Sequence, residues 1–239
     1  MTQPASPPAP ACLVLADASV YRGRAFGARG VAAAEVCFNT SMTGYQEILT
    51  DPSYAGQIVA MTYTQIGNVG ANPEDDEAAK PFLSGFVAKE IFEAPSNWRS
   101  RETLPAFLAR HGVPAIAGLD TRALVRRIRD HGFQTGVLST DPEQQNADAL
   151  IARARKAPRL DGVDLVAGVS CQAPYRWSEG DWPGVDGQPP RAKRPAPPLR
   201  VVAYDFGVKR NILRLLVDHG FEVTVVPART TAEQVRALA

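Results

Sequence analysis

The sequence predicts an α/β protein: an N-terminal α+β or swivelling β/β/α domain followed by the start of a doubly wound parallel sheet. Three observations predict it. Short apolar runs separated by glycine turns fill the first ninety or so positions, and helical spacing takes over after 103, the pattern of a β-rich half covered by helices. Residues 186–200 hold five prolines among polar and basic residues, the composition of a semi-extended linker. After them come strand, glycine turn, helix and strand, the opening order of an open parallel sheet. The expected layout is a disordered Pro/Ala/Ser tail at 1–10, a first domain at 11–185, a linker at 186–199 and two βα units at 200–239. Two such units leave most of a sheet's apolar surface wet, so the second domain is expected to be incomplete here.

In chain order, 12–15 reads as a strand, Asp17 and Ala18 as a turn, and 20–24 as the returning strand, with Gly23, Gly27 and Gly30 marking turns. Residues 31–38 and 58–63 read as further strands. The polar stretch 39–54 between them reads as a long connection, 66–72 as a Gly/Asn loop, and 86–90 as another strand. Thr103 can cap a helix to about Arg110. Asp120 can cap one to about Asp130, with Leu124, Val125 and Ile128 on its inner face. Between them 113–117 is a buried strand, and 147–156 is a third helix stopped by Pro158. Past the linker, 201–204 is a strand and Gly207 permits the turn. Val208, Ile212, Leu215, Leu216 and His219 make one helical stripe. Gly220 ends that helix, 221–226 is the next strand, and 230–233 fits a capping box opening a last helix. Val202, Leu216 and Val225 are expected to stay exposed on so short a sheet.

With 239 residues, 45% of them hydrophobic, the chain can bury a core for one or two domains. Its net charge of +1 argues against nucleic acid or an anionic membrane as the main partner. Three cysteines without CxxC spacing make no disulfide framework, so a cytoplasmic protein is expected. No signal peptide is expected, because the first fifteen residues have no basic n-region and too short an apolar run, and no membrane span, because no apolar run approaches about 18 residues.

The three histidines, His111, His131 and His219, each precede a glycine at a predicted helix C-terminus. The helix dipole favours an imidazole there and the glycine supplies the left-handed C′ residue, so they read as structural rather than as bases or metal ligands. No Cys/His cluster, HExxH, GxSxG, GxGxxG or Walker A pattern occurs, and no metal site is expected. Cys37 falls inside a strand and reads as core. No nucleophile–base pair is legible, so no catalytic residue is expected.

Three features can carry chemistry. The stretch FNTSMTGYQEILTDPSY (38–54) is too polar for core and too aromatic for a plain linker. Its Asp-Pro-Ser-Tyr turn presents the Ser53 hydroxyl, to cap the turn or to meet a ligand. The loop 67–72 is either a plain turn or a backbone cradle for an anion. Lys209 and Arg210 sit in the first turn of a helix, where each opposes the dipole by about 0.3–1 kcal/mol when exposed. A carboxylate, a partner surface or water must compensate.

Four stretches in order, EVCFNTSMTGYQEILTDPSYAGQIVAMTY (35–63), IGNVGAN (66–72), AIAGLDTRALVRRIRDHG (115–132) and VVAYDFGVKRNILRLLVDHG (201–220), resemble the carbamoyl phosphate synthetase small-subunit family. The resemblance implies that the second domain opens a class I glutamine amidotransferase domain. It implies a glutaminase whose Cys nucleophile, His and Glu lie beyond Ala239, so that the 239 residues alone are inactive. It implies a large-subunit partner that receives ammonia through a tunnel and uses ATP, Mg and bicarbonate to make carbamoyl phosphate for arginine and pyrimidine synthesis. It matches Ser53 to a serine that contacts substrate glutamine, and makes Lys209 a candidate for lining the ammonia path. The alternatives are a non-catalytic docking domain for the large subunit, and an unrelated flavodoxin-like binding protein that would leave 38–54 unexplained.

Overall fold

The computed structural model describes residues 9–184 and 197–238. In chain order the elements are β1 (Pro10–Leu15), β2 (Val20–Gly27), β3 (Val31–Asn39), α1 (Tyr45–Thr50), β4 (Ile58–Met61), β5 (Gln65–Ile66), β6 (Gly85–Val87), β7 (Glu90–Ile91), α2 (Leu104–Arg110), β8 (Pro114–Ala117), α3 (Thr121–His131) and β9 (Gln134–Ser139). They continue with α4 (Ala147–Ala154), α5 (Val166–Val169), β10 (Tyr175–Trp177), β11 (Arg200–Asp205), α6 (Arg210–Asp218), β12 (Glu222–Pro227) and α7 (Ala232–Leu238). Most of the expected tail and linker lies outside the described residues. Pro10, assigned to the tail, begins β1, and the Ala9 carbonyl accepts from Ala25 N at 2.7 Å. Among the described residues no helix is long and apolar enough to cross a membrane.

The chain divides into two compact units, one of Met1–Thr50, Tyr54–Asp75 and Lys80–Val163, the other of Asp51–Ser53, Asp76–Ala79 and Asp164–Ala239. In the first, seven strands close into a barrel in the order β1-β2-β8-β6-β4-β3-β9. β3, β4, β6 and β8 are parallel neighbours and the other pairings are antiparallel. Successive side chains of a strand point to opposite faces. Ile58 and Ala60 of β4 therefore join Leu13, Val36, Val87, Ile116 and Leu138 in one cluster, while Val59 and Met61 join Phe86, Phe107 and Leu108 in another. Covered on both faces, β4 and β8 are apolar and buried throughout. Leu124 and Ile128 of α3 belong to the first cluster, with Val125 only half-buried. Leu150 and Ala154 of α4 cover Cys12, Val14 and Val137. The predicted caps are in place: Thr103 Oγ1 accepts from Ala106 N at 3.2 Å and Asp120 Oδ1 from Ala123 N at 2.9 Å.

Three stretches depart from the sequence expectation. β9 carries no strand signature, because its first half is polar and Gly136 interrupts it, yet it pairs with both β1 and β3 and completes the barrel. A Cβ at Gly136 would stand 2.7 Å from Val36 Cγ2 and 2.9 Å from the Val14 carbonyl oxygen, so the close strand packing requires glycine. The stretch 39–54 is not an open connection but holds α1, whose Tyr45, Gln46, Ile48, Leu49 and Thr50 are all buried. The 86–90 strand is likewise two short ones, β6 and β7, in different sheets.

In the second unit β11 and β12 are parallel and α6 connects them, as expected. The sheet gains a third strand, β10, antiparallel to β12. Val225 is consequently buried rather than exposed, in a small core with Leu213 and Val223. The inner face of α6 is Leu213, Leu216 and Val217, with Val208 ahead of it. Ile212 and Leu215 of the predicted stripe point outward, 50% and 46% exposed. Val208 lies ahead of the helix, so a stripe counted from it misplaces the inner face. The capping box sits one residue later than expected: Gln234 N donates to Thr231 Oγ1 at 3.3 Å and Thr231 N to Gln234 Oε1 at 2.9 Å.

Candidate functional site

Ser53 lies in a single 3-10 turn, Pro52–Tyr54, that begins right after Asp51. Proline presets the φ of the turn, and Asp51 Oδ1 accepts from Ser53 N at 2.8 Å, which fixes the turn and leaves the Ser53 side chain exposed. The other oxygen of the same carboxylate, Asp51 Oδ2, stands 3.4 Å from Lys209 Nζ. One carboxylate thus joins the two candidate residues, both of them in the second unit. Sequence reasoning treated Asp51 only as part of a turn signature; its place before Pro52 was the available signal.

The turn after β11 positions Lys209. Asp205, buried at the end of that strand, accepts from Gly207 N and Val208 N through Oδ1, both at 3.0 Å, and from Cys171 N through Oδ2 at 2.7 Å. Gly207 takes φ +90°, and a Cβ there would stand 3.0 Å from Pro52 Cβ and 3.1 Å from Val169 Cγ2. Lys209 is the N-cap of α6 and offers no side-chain acceptor, so the helix start needs one from elsewhere. Glu77 supplies it: its Oε2 accepts from Asn211 N and its carbonyl from Arg210 N, each at 2.9 Å. A buried carboxylate at the positive end of the helix offsets the two cations. Arg210 lies over the Trp177 ring at 5.9 Å. The compensation expected for Lys209 and Arg210 is therefore Asp51, Glu77 and an aromatic face. Nothing local in the sequence pointed to Glu77.

The other candidates are committed to structure. In the 67–72 loop, Gly70 N donates to the Gly67 carbonyl at 3.0 Å, Ala71 N to the Glu102 carbonyl at 2.9 Å and Asn72 N to Gln46 Oε1 at 2.9 Å. Tyr45 OH donates to the Gly70 carbonyl at 2.6 Å. The amides of Gly70, Ala71 and Asn72 are thus occupied, which favours the plain-turn reading and ties the loop to α1. His111 and His219 are helix C-caps and His131 ends α3, followed by Gly112, Gly220 and Gly132 at φ +70°, +84° and +80°. His219 Nδ1 lies 2.7 Å from the Leu215 carbonyl oxygen. Burial, with the Glu35 carboxylate nearby, pushes the Cys37 thiol up to about 12. Burial also raises Cys12, and raises Cys171 together with Asp205. No described cysteine has the depressed pKa of a nucleophile. Among the described residues no group of three or more His, Cys, Asp or Glu side chains is placed to hold a metal ion. Chemically, the Asp51 carboxylate can hold the Ser53 turn and pair with the Lys209 ammonium; it cannot attack a substrate.

Residues 13–138 match the family model described as carbamoyl-phosphate synthase small chain, CPSase domain. A carbamoyl phosphate synthase small chain of Syntrophotalea carbinolica is 56% identical over 231 residues, covering 95% of this chain and 60% of the relative. Small chains of Thermosynechococcus vestitus and of Escherichia coli O6:H1 are 52% and 49% identical, covering 95% and 94% of this chain and 59% of each relative. The chain belongs to the carbamoyl phosphate synthase small chain family. It spans about 60% of the length of the relatives it matches. The family model ends at 138, so within the small-chain framework it covers the barrel up to β9, and the relatives' identity carries the resemblance on into the second unit.

Proposed function

We propose that this chain works as part of the glutamine-hydrolysing small subunit of a carbamoyl phosphate synthase. In this reading the exposed Ser53 hydroxyl contacts substrate glutamine, Asp51 holds the Ser53 turn in place, and Lys209 lines the path of the released ammonia. β11, α6 and β12 open a doubly wound amidotransferase domain. The Cys nucleophile and its His and Glu belong to the part of the relatives' length that this chain does not span, so the 239 residues alone have no glutaminase activity. Ammonia passes to a large subunit, which binds ATP and Mg and makes carbamoyl phosphate for arginine and pyrimidine synthesis. Three free cysteines suit a reducing compartment, and we place the protein in the cytoplasm.

The observation that carries this reading is the Asp51 bridge, which brings together the two residues singled out by different parts of the resemblance. The experiment is Ser53→Ala in the complete small subunit assembled with its large subunit. Glutamine-dependent synthesis is expected to fall by about 1–3 kcal/mol in kcat/KM, the worth of one hydrogen bond to substrate, with ammonia-dependent synthesis unchanged. Equal loss of both activities would make Ser53 structural and defeat the assignment.

A further inference from the structure

In the barrel unit β4, β6 and β8 run parallel, so their C-terminal ends share one end of the barrel. An open cavity of about 680 Å³ lies there. Each strand end feeds it: Thr62 and Thr64 follow β4, Lys89 follows β6, and Asp120 follows β8 where the chain turns into α3. In α/β proteins the crevice beyond the C-terminal ends of parallel strands is where ligands bind. The volume is that of a small-molecule site.

One wall of the cavity is α3, which contributes Arg122, Arg126 and Arg129. Arg122 and Arg126 are four residues apart, and like charges at that spacing destabilise a helix by about 0.2–0.5 kcal/mol. Arg122 also stands in the first turn, where the dipole disfavours a cation. Among the described residues Lys89, Arg122 and Arg126 enter no ion pair. Arg129 pairs with Asp130 at 2.9 Å, and Asp120, the one carboxylate lining the cavity, caps the helix. Four basic residues and one carboxylate thus line a space of ligand size, and three of the four are without an ion pair among the described residues.

We propose that this cavity is a binding site for a small phosphorylated molecule. Guanidinium forks match phosphate oxygens bidentately, a lysine adds a point charge, and Thr62 and Thr64 offer hydroxyl donors. The site lies wholly in the barrel unit and uses none of Ser53, Asp51 or Lys209, so it stands apart from the glutamine reading.

The test is titration of the 239-residue chain with pyrophosphate at constant ionic strength, followed by calorimetry and by amide shifts in ¹⁵N NMR spectra. The expected result is saturable binding with shifts at Thr62, Thr64, Lys89 and Arg122. Affinity should weaken at least about tenfold in Arg122→Gln/Arg126→Gln and, separately, in Lys89→Gln. These are exposed side chains on different elements, so a folding defect in one variant leaves the other informative. Absence of saturable binding, shifts confined to other regions, or affinity unchanged in both variants would overturn the proposal. Citrate binding as tightly as pyrophosphate would overturn the phosphate assignment.

Discussion

At the scale of single residues, Asp51 matters more than its neighbours suggest, because its two oxygens serve two distant partners. The ion pair to a half-exposed Lys209 contributes little stability, since exposed pairs are worth about 0–1 kcal/mol. Its value is positional. If the proposed function holds, Asp51→Ala in the complete enzyme should lower kcat/KM for glutamine about 5–30-fold through a misplaced Ser53, with ammonia-dependent synthesis unchanged. Asp51→Asn keeps the acceptor for Ser53 N and should retain most activity. Steady-state kinetics with each nitrogen donor separate the two variants. The cysteines give a test independent of function. With its pKa pushed up to about 12 by burial and by Glu35, Cys37 stays a thiol at pH 8. Native-state alkylation at pH 8 read by mass spectrometry should leave Cys37 and Cys12 unmodified, with Cys171 reacting slowly, and all three should react in denaturant. Rapid labelling of native Cys37 would contradict its place in the core. Ser53 and Lys209 were legible as candidates because turn chemistry and helix-end charge are local signals. Their connection through Asp51 was not, because it is made only by the fold.

At the scale of elements, legibility followed the same division. Capped helices with an apolar stripe, such as α2 and α3, are written in a dozen consecutive residues. β9 is not: its strand conformation comes from pairing with β1 and β3, and a sequence with a polar first half and a central glycine does not announce it. α1 was hidden because its buried polar residues, Gln46 and Thr50, are satisfied inside the fold. Gln46 exchanges hydrogen bonds with the Asn72 backbone, and Thr50 Oγ1 donates to the Gln46 carbonyl at 2.9 Å. The start of α6 shows the same dependence, since its cap comes from Glu77, far away in sequence. Glu77→Ala should destabilise that helix end by about 1–2 kcal/mol, the cost of a lost cap and a lost dipole partner. Hydrogen exchange at Asn211 and Leu213 should quicken accordingly, while β4, β6 and β8 exchange as before. No change at Asn211 would remove Glu77 as the cap.

At the scale of the whole molecule, averages mislead in two ways. A net charge of +1 argues against anionic partners, yet four basic residues and only one carboxylate line one cavity of the barrel. A hydrophobic content of 45% says that a core exists but not how unevenly it is divided. The barrel is closed, has no free edge and packs its strands on both faces, so opening any one strand disrupts two core clusters. Among the described residues the second unit has three strands, a small core around Leu213, Val223 and Val225, and large apolar side chains left in water, with Phe206 61% exposed. Local opening free energies follow buried contacts. Amides of β4, β6 and β8 should therefore exchange at the slowest rates in this chain, and those of β11, β12 and α6 at least about tenfold faster, a gap of about 1.4 kcal/mol or more. Hydrogen exchange resolved by mass spectrometry measures both sets in one experiment. Equal protection would mean that the second unit draws on burial beyond its own core, and the exposed faces of Phe206, Ile212 and Leu215 would then be the first place to look for what covers it.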